Sequence, residues 1–556
     1  MARAQMLRAF AAIVLAGGLI LTGCGGGGSS DSGGDLDGSQ LLKVPREDKP
    51  TFTENFNPFS PNAVPMTQQA IYEPLIISNP ADGNTVPWLA TEWEQAPDGK
   101  SITFTLRDGV KWSDDKPFTA DDVVTTFDLQ KEVLGGLEFL DSVEAVDDHT
   151  VVFRFNTPFT PGLYEVGQQV IIPKHIWESV ADPANETNPT PVGTGPYTEV
   201  QNFQSQAFEL HKNPHYWQPD KQRIEGIQVL AFAGNDPANL ATTNGETDWA
   251  DQFIPDIDNT FVSKDPEHRH YWFPPVDSTI HWQLNTTKAP FDDVDVRKAL
   301  SMAVDREAIS KVAMQGYTHP ADCTGLSDAY DSWRDDAVVA SCDWTTPDVD
   351  AANALLDEAG YPRGADGTRT LPDGSPFEFD ISVGSTSSDW LSVANIISQN
   401  LAEVGVAAKV NSPDWSAVVA SYEDGSFDTG IVWSNSAPTP YQYYRGVMST
   451  ETVIPVGEQT FQNYHRFGLP EADKLLAEFA ATSDPAAQTK AMNQLQQVFA
   501  DSAPVVPLFP GPKWGVYNTT RFTGFPDQDN PYAPLSTRSP TTVLVLTGIT
   551  PVTSGE

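Results

Sequence analysis

The chain has 556 residues, 39% of them apolar and including 14 Trp, 15 Tyr and 28 Phe. That is enough to bury two or three interiors, since domains commonly run to roughly 100–200 residues. Its 75 Asp and Glu against 33 Lys and Arg give a formal net charge of −42, a surface that repels nucleic acid and anionic headgroups and excludes a nucleic-acid partner.

The N-terminus carries Arg3 and Arg8, then an apolar stretch that ends in Leu21-Thr22-Gly23-Cys24. A basic start, an apolar core and a small-residue cleavage site mark a secretory signal over residues 1–23. The stretch is shorter than the roughly 20 apolar residues that cross a bilayer. With its cysteine the segment resembles a bacterial lipoprotein signal. That resemblance implies a diacylglycerol on the Cys24 thiol and a mature chain tied to the outer face of the cell membrane. The alternative is an ordinary signal peptide with an incidental cysteine. Residues 24–39, rich in Gly, Ser and Asp, read as a flexible tether.

Beyond the tether, strand and helix signals alternate. Ile102, Phe104 and Leu106 alternate with polar residues as a half-buried strand does, and so do Val151, Phe153 and Phe155. Between them Thr119 caps a helix with an acid three residues on, Val123, Phe127 and Leu134 share one face, and Gly135-Gly136 ends it. Val296, Leu300 and Val304 form a helical stripe; Thr346-Pro347 opens a helix that closes at Gly360. Trp390, Val393, Ile397 and Leu401 form a further stripe stopped by Gly405, and Asp484-Pro485 starts one carrying Leu495 and Phe499. The mixture predicts α/β domains with mixed sheets.

Cys323 and Cys342 remain once Cys24 is assigned. Outside the cytoplasm two such thiols pair, and closing that loop stabilises by around 3 kcal/mol in the chain-entropy account. A metal site is not expected: His319 is the nearest histidine to these thiols, and His211 with His215, a close histidine pair, lies far from them in sequence. Asp114, Asp115, Asp121 and Asp122 lack the ligand spacing of a calcium loop. No nucleophile elbow, zinc helix or phosphate loop is present. No cofactor is expected, and the chain reads as a non-enzyme.

Residues 99–127 read GKSITFTLRDGVKWSDDKPFTADDVVTTF. In order around them come Ile71-Tyr72-Glu73-Pro74-Leu75, Pro87-Trp88-Leu89-Ala90, Gly193-Thr194-Gly195-Pro196-Tyr197, Val296-Arg297-Lys298-Ala299-Leu300, Ala303-Val304-Asp305-Arg306 and Ala359-Gly360-Tyr361. This ordered set resembles family 5 extracytoplasmic solute-binding proteins of ABC importers. The resemblance implies a periplasmic-binding-protein-like, two-lobed α/β clamshell of class II with a third domain. One lobe would comprise residues 40–72, 190–275 and 500–556, the extra domain 73–189, and the other lobe 276–499. Crossings would fall near Pro274-Pro275 and Pro504 to Pro507. The implied partners are ABC permease subunits with a cytoplasmic ATPase, with the receptor a monomer.

In peptide-binding relatives an aspartate three residues after a tryptophan holds the α-ammonium; here Ser436 stands three after Trp433. A buried ammonium without a carboxylate is costly by several kcal/mol. That points away from an oligopeptide, which stays the alternative, and towards a neutral, cello-oligosaccharide-like ligand. Aromatic rings interleaved with amides suit stacked sugars. The expected ligand-binding residues are Asn57, Trp249, Gln252, Trp282, Trp415, Trp433, Asn435, Ser436, Tyr441 and Tyr444. Asn57-Pro58-Phe59 and Asp529-Asn530-Pro531-Tyr532 also resemble the cello-oligosaccharide-binding branch. A secreted glycoside hydrolase is the remote alternative; it needs two carboxyl groups about 5–10 Å apart, and no local motif singles out such a pair.

Overall fold

The computed structural model describes residues 41–274 and 277–552. The signal, Cys24, the tether and Pro275 of the expected first crossing lie outside these residues.

The alternating segments form a four-stranded antiparallel sheet, Ala90–Gln95, Ser101–Leu106, Thr150–Phe155 and Leu140–Asp147 in spatial order. Phe104 and Phe153 meet edge to face at 5.6 Å on its buried side, and Phe127 of the helix Ala120–Val133 packs on Phe153 at 4.8 Å. That helix opens on a reciprocal cap between Thr119 and Asp122. It ends at Gly135 and Gly136, both at positive φ. Leu134 departs from the expected stripe: it is the residue after the last helical turn and is 46% exposed.

A second sheet runs Leu41–Arg46, Gly226–Ala231, Ala207–Lys212, Tyr197–Gln204, with its first pair parallel and the others antiparallel. A small sheet, Trp249–Ala250, Val516–Asn518, Arg269–Tyr271, contacts it through Trp249–Ala250. The third large sheet has the order Ala407–Asn411, Glu378–Ser382, Thr429–Trp433, Thr279–Leu284, Val506–Pro510 and mixes parallel with antiparallel pairs. The last strand corrects the expected second crossing. Val506 and Pro507 pair with Trp282 and His281 inside the sheet, so the chain leaves it after Pro510, through Gly511 to Trp514. The helix expected from Thr346-Pro347 begins at Val349, because the Asp348 carboxylate accepts the Ala351 N–H and fixes the cap two residues later. The apolar interior forms two main clusters. One joins the 90–155 sheet to the five-stranded sheet, and the other surrounds Leu41–Arg46.

Three of the sequence motifs meet at one buried carboxylate. Glu73 Oε1 accepts the Trp88 indole N–H at 2.8 Å and the Tyr216 hydroxyl at 3.2 Å, and Oε2 accepts the Trp217 indole N–H at 3.0 Å. The glycines of Gly193-Thr194-Gly195 serve the same junction: a Cβ at either would collide with the carbonyls of Ile71 and Ala70. Burial pushes the Glu73 carboxyl up to about 7, with the Trp217 and Trp88 donors pulling the other way.

The thiols of Cys323 and Cys342 are neighbours but free, so the expected disulfide is not formed in this structure. Cys323 is buried, and its pKa is raised first by the Cys342 thiol and then by burial.

A folded-state pKa above the ordinary 4.5 means the folded protein binds a proton that the unfolded chain has released. Stability from protonated Glu73 is therefore full below about 4.5 and lost as pH rises through about 7. Glu73→Gln should flatten that decline in a melting-temperature profile. It should also cost about 1–3 kcal/mol at pH 5, because one indole N–H then faces an amide N–H. A profile as steep in the variant as in the native chain would show that another group titrates.

Candidate ligand-binding cleft

A cavity of about 340 Å³ lies where the Leu41–Arg46 sheet, the five-stranded sheet and the Gly511–Trp514 segment converge. Its aromatic wall is made of Trp390, Trp415, Trp433 and Trp514 with Phe253. Trp390 opens toward it from the first turn of the helix Ser388–Glu403, and Trp415 is the first residue of the helix Trp415–Asp424. Trp433 ends the strand Thr429–Trp433. The Trp390 and Trp433 rings lie 4.3 Å apart at 51°, and Trp390 and Trp415 lie 5.9 Å apart at 70°. Trp433 keeps 54% of its surface exposed.

The facing wall is charged but internally compensated. Arg538 Nη2 donates to both oxygens of Glu47 at 2.6 and 2.7 Å. Its Nη1 lies 3.3 Å from Asp48 and its Nε 4.0 Å from Asp251. Asp48 is also held by Arg46 at 3.2 Å, and Asp251 accepts the Ser536 hydroxyl at 2.5 Å and the Thr537 N–H at 3.1 Å. Burial opposes the charge on Arg538, yet Glu47, Asp48 and Asp251 hold its pKa above the ordinary value. Burial likewise opposes ionisation of Asp48, and Arg538 and Arg46 outweigh it.

The two walls touch. Asn235 Nδ2 donates to Asp389 Oδ1 at 3.3 Å and to Ser388 Oγ at 3.2 Å, and the Asn235 N–H donates to the Thr386 carbonyl at 3.3 Å. Burial pushes the Asp389 carboxyl up to about 6. Gly234 makes the approach feasible: it sits at φ +108°, and a Cβ there would lie 2.7 Å from Thr386 Cβ.

Of the residues expected from sequence, Trp415, Trp433 and Ser436 line this cavity. Asn435 lines an adjoining one, where it packs on Gly446. The other six lie elsewhere. Asn57 is fully buried and ties a loop, donating to the Pro183 and Glu186 carbonyls at 2.7 Å and accepting the Phe59 N–H. Trp249 packs on Phe525, and Trp282 on Phe379, both inside the core. Gln252 is buried and donates to Asn239 at 2.8 Å. Tyr441 stacks on Phe479, and Tyr444 donates to the Thr324 carbonyl at 2.9 Å. Four of these six are large rings on interior faces, and an apolar core claims such rings before a cleft does; the amides of Asn57 and Gln252 instead tie buried polar groups together. Sequence reasoning missed Trp390, Trp514, Asn235, Asp389 and Arg538. Trp390 was absorbed into a core stripe. No local signal separates it: an acid precedes Trp390 and Trp415, but also the core indoles Trp249 and Trp344.

Two sheet systems meeting at a cleft lined by both, with the chain passing between them more than once, define the two-lobed α/β clamshell of periplasmic binding proteins. Residues 84–453 match the family described as "Bacterial extracellular solute-binding proteins, family 5 Middle". The chain belongs to that family. It is 25% identical over 497 residues to the nickel-binding periplasmic protein of Escherichia coli K12, covering 87% of this chain and 90% of that one. It is 26% identical over 495 residues to the dipeptide-binding protein of the same strain, covering 82% and 86%. Among solved structures it resembles a mannohexaose-bound periplasmic oligopeptide-binding protein of an oligopeptide ABC transporter from Thermotoga maritima. The TM-score is 0.85 at 27% identity, covering 93% of this chain and 99% of that one.

Gly234→Ala would strain a positive-φ site by about 1 kcal/mol or more and drive a methyl group into Thr386. Ligand affinity should fall by roughly five- to tenfold, with small-angle scattering showing a larger radius in the presence of ligand. Unchanged affinity and radius would mean that Gly234 does not limit the approach of the two walls.

Proposed function

We propose that the protein is the extracytoplasmic receptor of an ABC importer and that its ligand is a neutral oligosaccharide, which it delivers to a permease. The observation that carries the ligand class is the pairing of an indole wall with carboxylates already matched to Arg538. Flat rings offer stacking faces to sugar C–H groups. Compensated carboxylates and Asn235 offer hydrogen bonds to hydroxyls without demanding a cation. The mannohexaose bound by the Thermotoga maritima relative supports the same ligand class. The cello-oligosaccharide-binding branch of the family is the corresponding expectation. The relatives are substrate-binding components of transport systems, which supports a receptor over a hydrolase.

One observation favours an oligopeptide as the second reading. Ser436, in the position where peptide-binding relatives place an acid, lies beside the half-buried carboxylate of Asp277 and helps hold its charge, and that carboxylate offers a partner to an α-ammonium. Lys513 lies close enough to Asp277 to pull its pKa down against the effect of burial, so that carboxylate already has a cation near it.

Calorimetry and thermal shift with cello- and manno-oligosaccharides against tri- to pentapeptides separate the two, since a ligand that binds only the folded state raises its melting temperature. Oligosaccharides should bind, and Trp433→Ala should weaken them by on the order of 2 kcal/mol or more, as for a central aromatic anchor. Tight peptide binding that Asp277→Asn abolishes and Trp433→Ala leaves intact would instead establish the peptide reading.

We further infer attachment to the outer face of the cell membrane through a lipid on Cys24, which the signal segment supports. Cell fractionation of Cys24→Ala should move the protein from the membrane to the soluble fraction with an unchanged melting temperature. A variant that still sediments with membranes would rule the anchor out. In that oxidising compartment the adjacent thiols of Cys323 and Cys342 are placed to pair.

A further inference from the structure

We infer that the cleft continues past Trp433 into a second aromatic groove, which seats additional rings of the same oligosaccharide chain; this rests on the oligosaccharide reading. A cavity of about 230 Å³ adjoins the cleft, and Trp415, Trp433 and Ser434 line both. Trp433 is therefore a partition with a cavity on either side. On the far side stands Phe461, 53% exposed and also lining the groove. Two large rings left bare beside one continuous depression need a reason, because exposed apolar surface of this kind marks a binding site.

The groove repeats the chemistry of the cleft. Asn435 and Gln462 bring amides beside the Phe461 and Trp433 rings. The back of the groove carries no charge at neutral pH. His281 and His465 line it, and burial pushes their imidazoles down to about 3 and about 4. A charged ligand finds no counter-ion there, whereas hydroxyl groups find amides and rings.

The loop that carries Phe461 is fastened before any ligand arrives. The Arg466 guanidinium donates to the carbonyls of Ile454 at 3.1 Å, Tyr464 at 2.7 Å, Tyr422 at 3.2 Å and Glu423 at 2.8 Å. The Asn463 amide donates to Thr452 Oγ1 at 2.8 Å and to the Phe467 carbonyl at 2.7 Å. A ring on a fixed loop costs little entropy on binding, so its contact adds to affinity. The occupant we assign is the extension of the cleft ligand, because the two cavities share their dividing residues and offer the same partners.

The test is a chain-length series, mannobiose to mannohexaose and cellobiose to cellohexaose, titrated calorimetrically into the mature protein and into Phe461→Ala and Gln462→Ala. In the native protein affinity should keep rising with length until both cavities are filled. Phe461→Ala should bind the disaccharides unchanged and lose roughly tenfold for the hexasaccharides, with Gln462→Ala losing less. Phe461 is exposed, so the melting temperature without sugar should not move. If Phe461→Ala binds the hexasaccharides as tightly as the native protein while Trp433→Ala weakens them, the groove assignment is overturned and the cleft reading stands. If no oligosaccharide of any length binds the native protein, the cleft reading falls and the extension with it.

Discussion

The cleft depends on Arg538. Its guanidinium stands among Glu47, Asp48 and Asp251, three carboxylates that would otherwise present an unbalanced negative wall. Removing one partner from such a half-buried network leaves charge uncompensated. The arginine also joins chain segments from opposite ends of the sequence. Glu47 and Asp48 directly follow the strand Leu41–Arg46, and Arg538 lies close to the C-terminus. The wall opposite the tryptophans is thus held by one charge centre, and that centre sets what the cavity accepts. With its three carboxylates engaged by Arg538 and Arg46, the wall offers lone pairs to hydroxyl groups.

The polar contacts differ in how many donors converge, and the difference bears on how the molecule works. Glu73 gathers three side-chain donors at 2.8 to 3.2 Å, and Arg538 reaches both oxygens of Glu47 at 2.6 and 2.7 Å. Across the cleft, Asn235 meets Asp389, Ser388 and Thr386 at 3.2 to 3.3 Å. Contacts at the upper end of hydrogen-bond distance from one neutral amide are individually weak. A receptor that must both close and reopen needs a small free-energy difference between its states, so that a ligand touching both walls decides the balance. The scaffold is fastened tightly where the motifs lie and loosely where the walls meet.

This separation explains what could be read in the sequence. The motif residues Glu73, Trp88, Gly193 and Gly195 converge with Trp217 on one junction, and Thr119 caps the helix expected of it. Scaffold features of this kind are local in sequence or repeat as motifs, so the fold class and most helix ends were legible. The cleft was less so. An indole at helical spacing looks the same whether its face meets core or cavity: Trp390 belongs to the core stripe and also lines the cleft, while Trp249 and Trp282 were taken for lining and sit in the core. Asn57 was read from a local motif, but its amide closes a loop more than a hundred residues away. Arg538 carried no local signal at all, since its carboxylates arrive from residues near 47 and 251.

Asp389 is the acid on the aromatic wall whose proton is most sensitive to what binds beside it. Its carboxyl, pushed up to about 6 by burial, sits next to Trp390 and faces Asn235 across the cleft. A cationic group arriving there would pull that pKa down and release a proton near pH 6, which couples affinity to pH. A hydroxyl group would accept or donate a hydrogen bond with either form and leave the coupling weak. The same reasoning applies behind Trp433, where buried neutral histidines replace charge. Behind Trp433 the described lining residues offer amides and rings to hydroxyl groups and no ionised side chain, whereas in the cleft Asp389, held by the Asn235 amide, is the acid through which a charged ligand would make its affinity depend on pH.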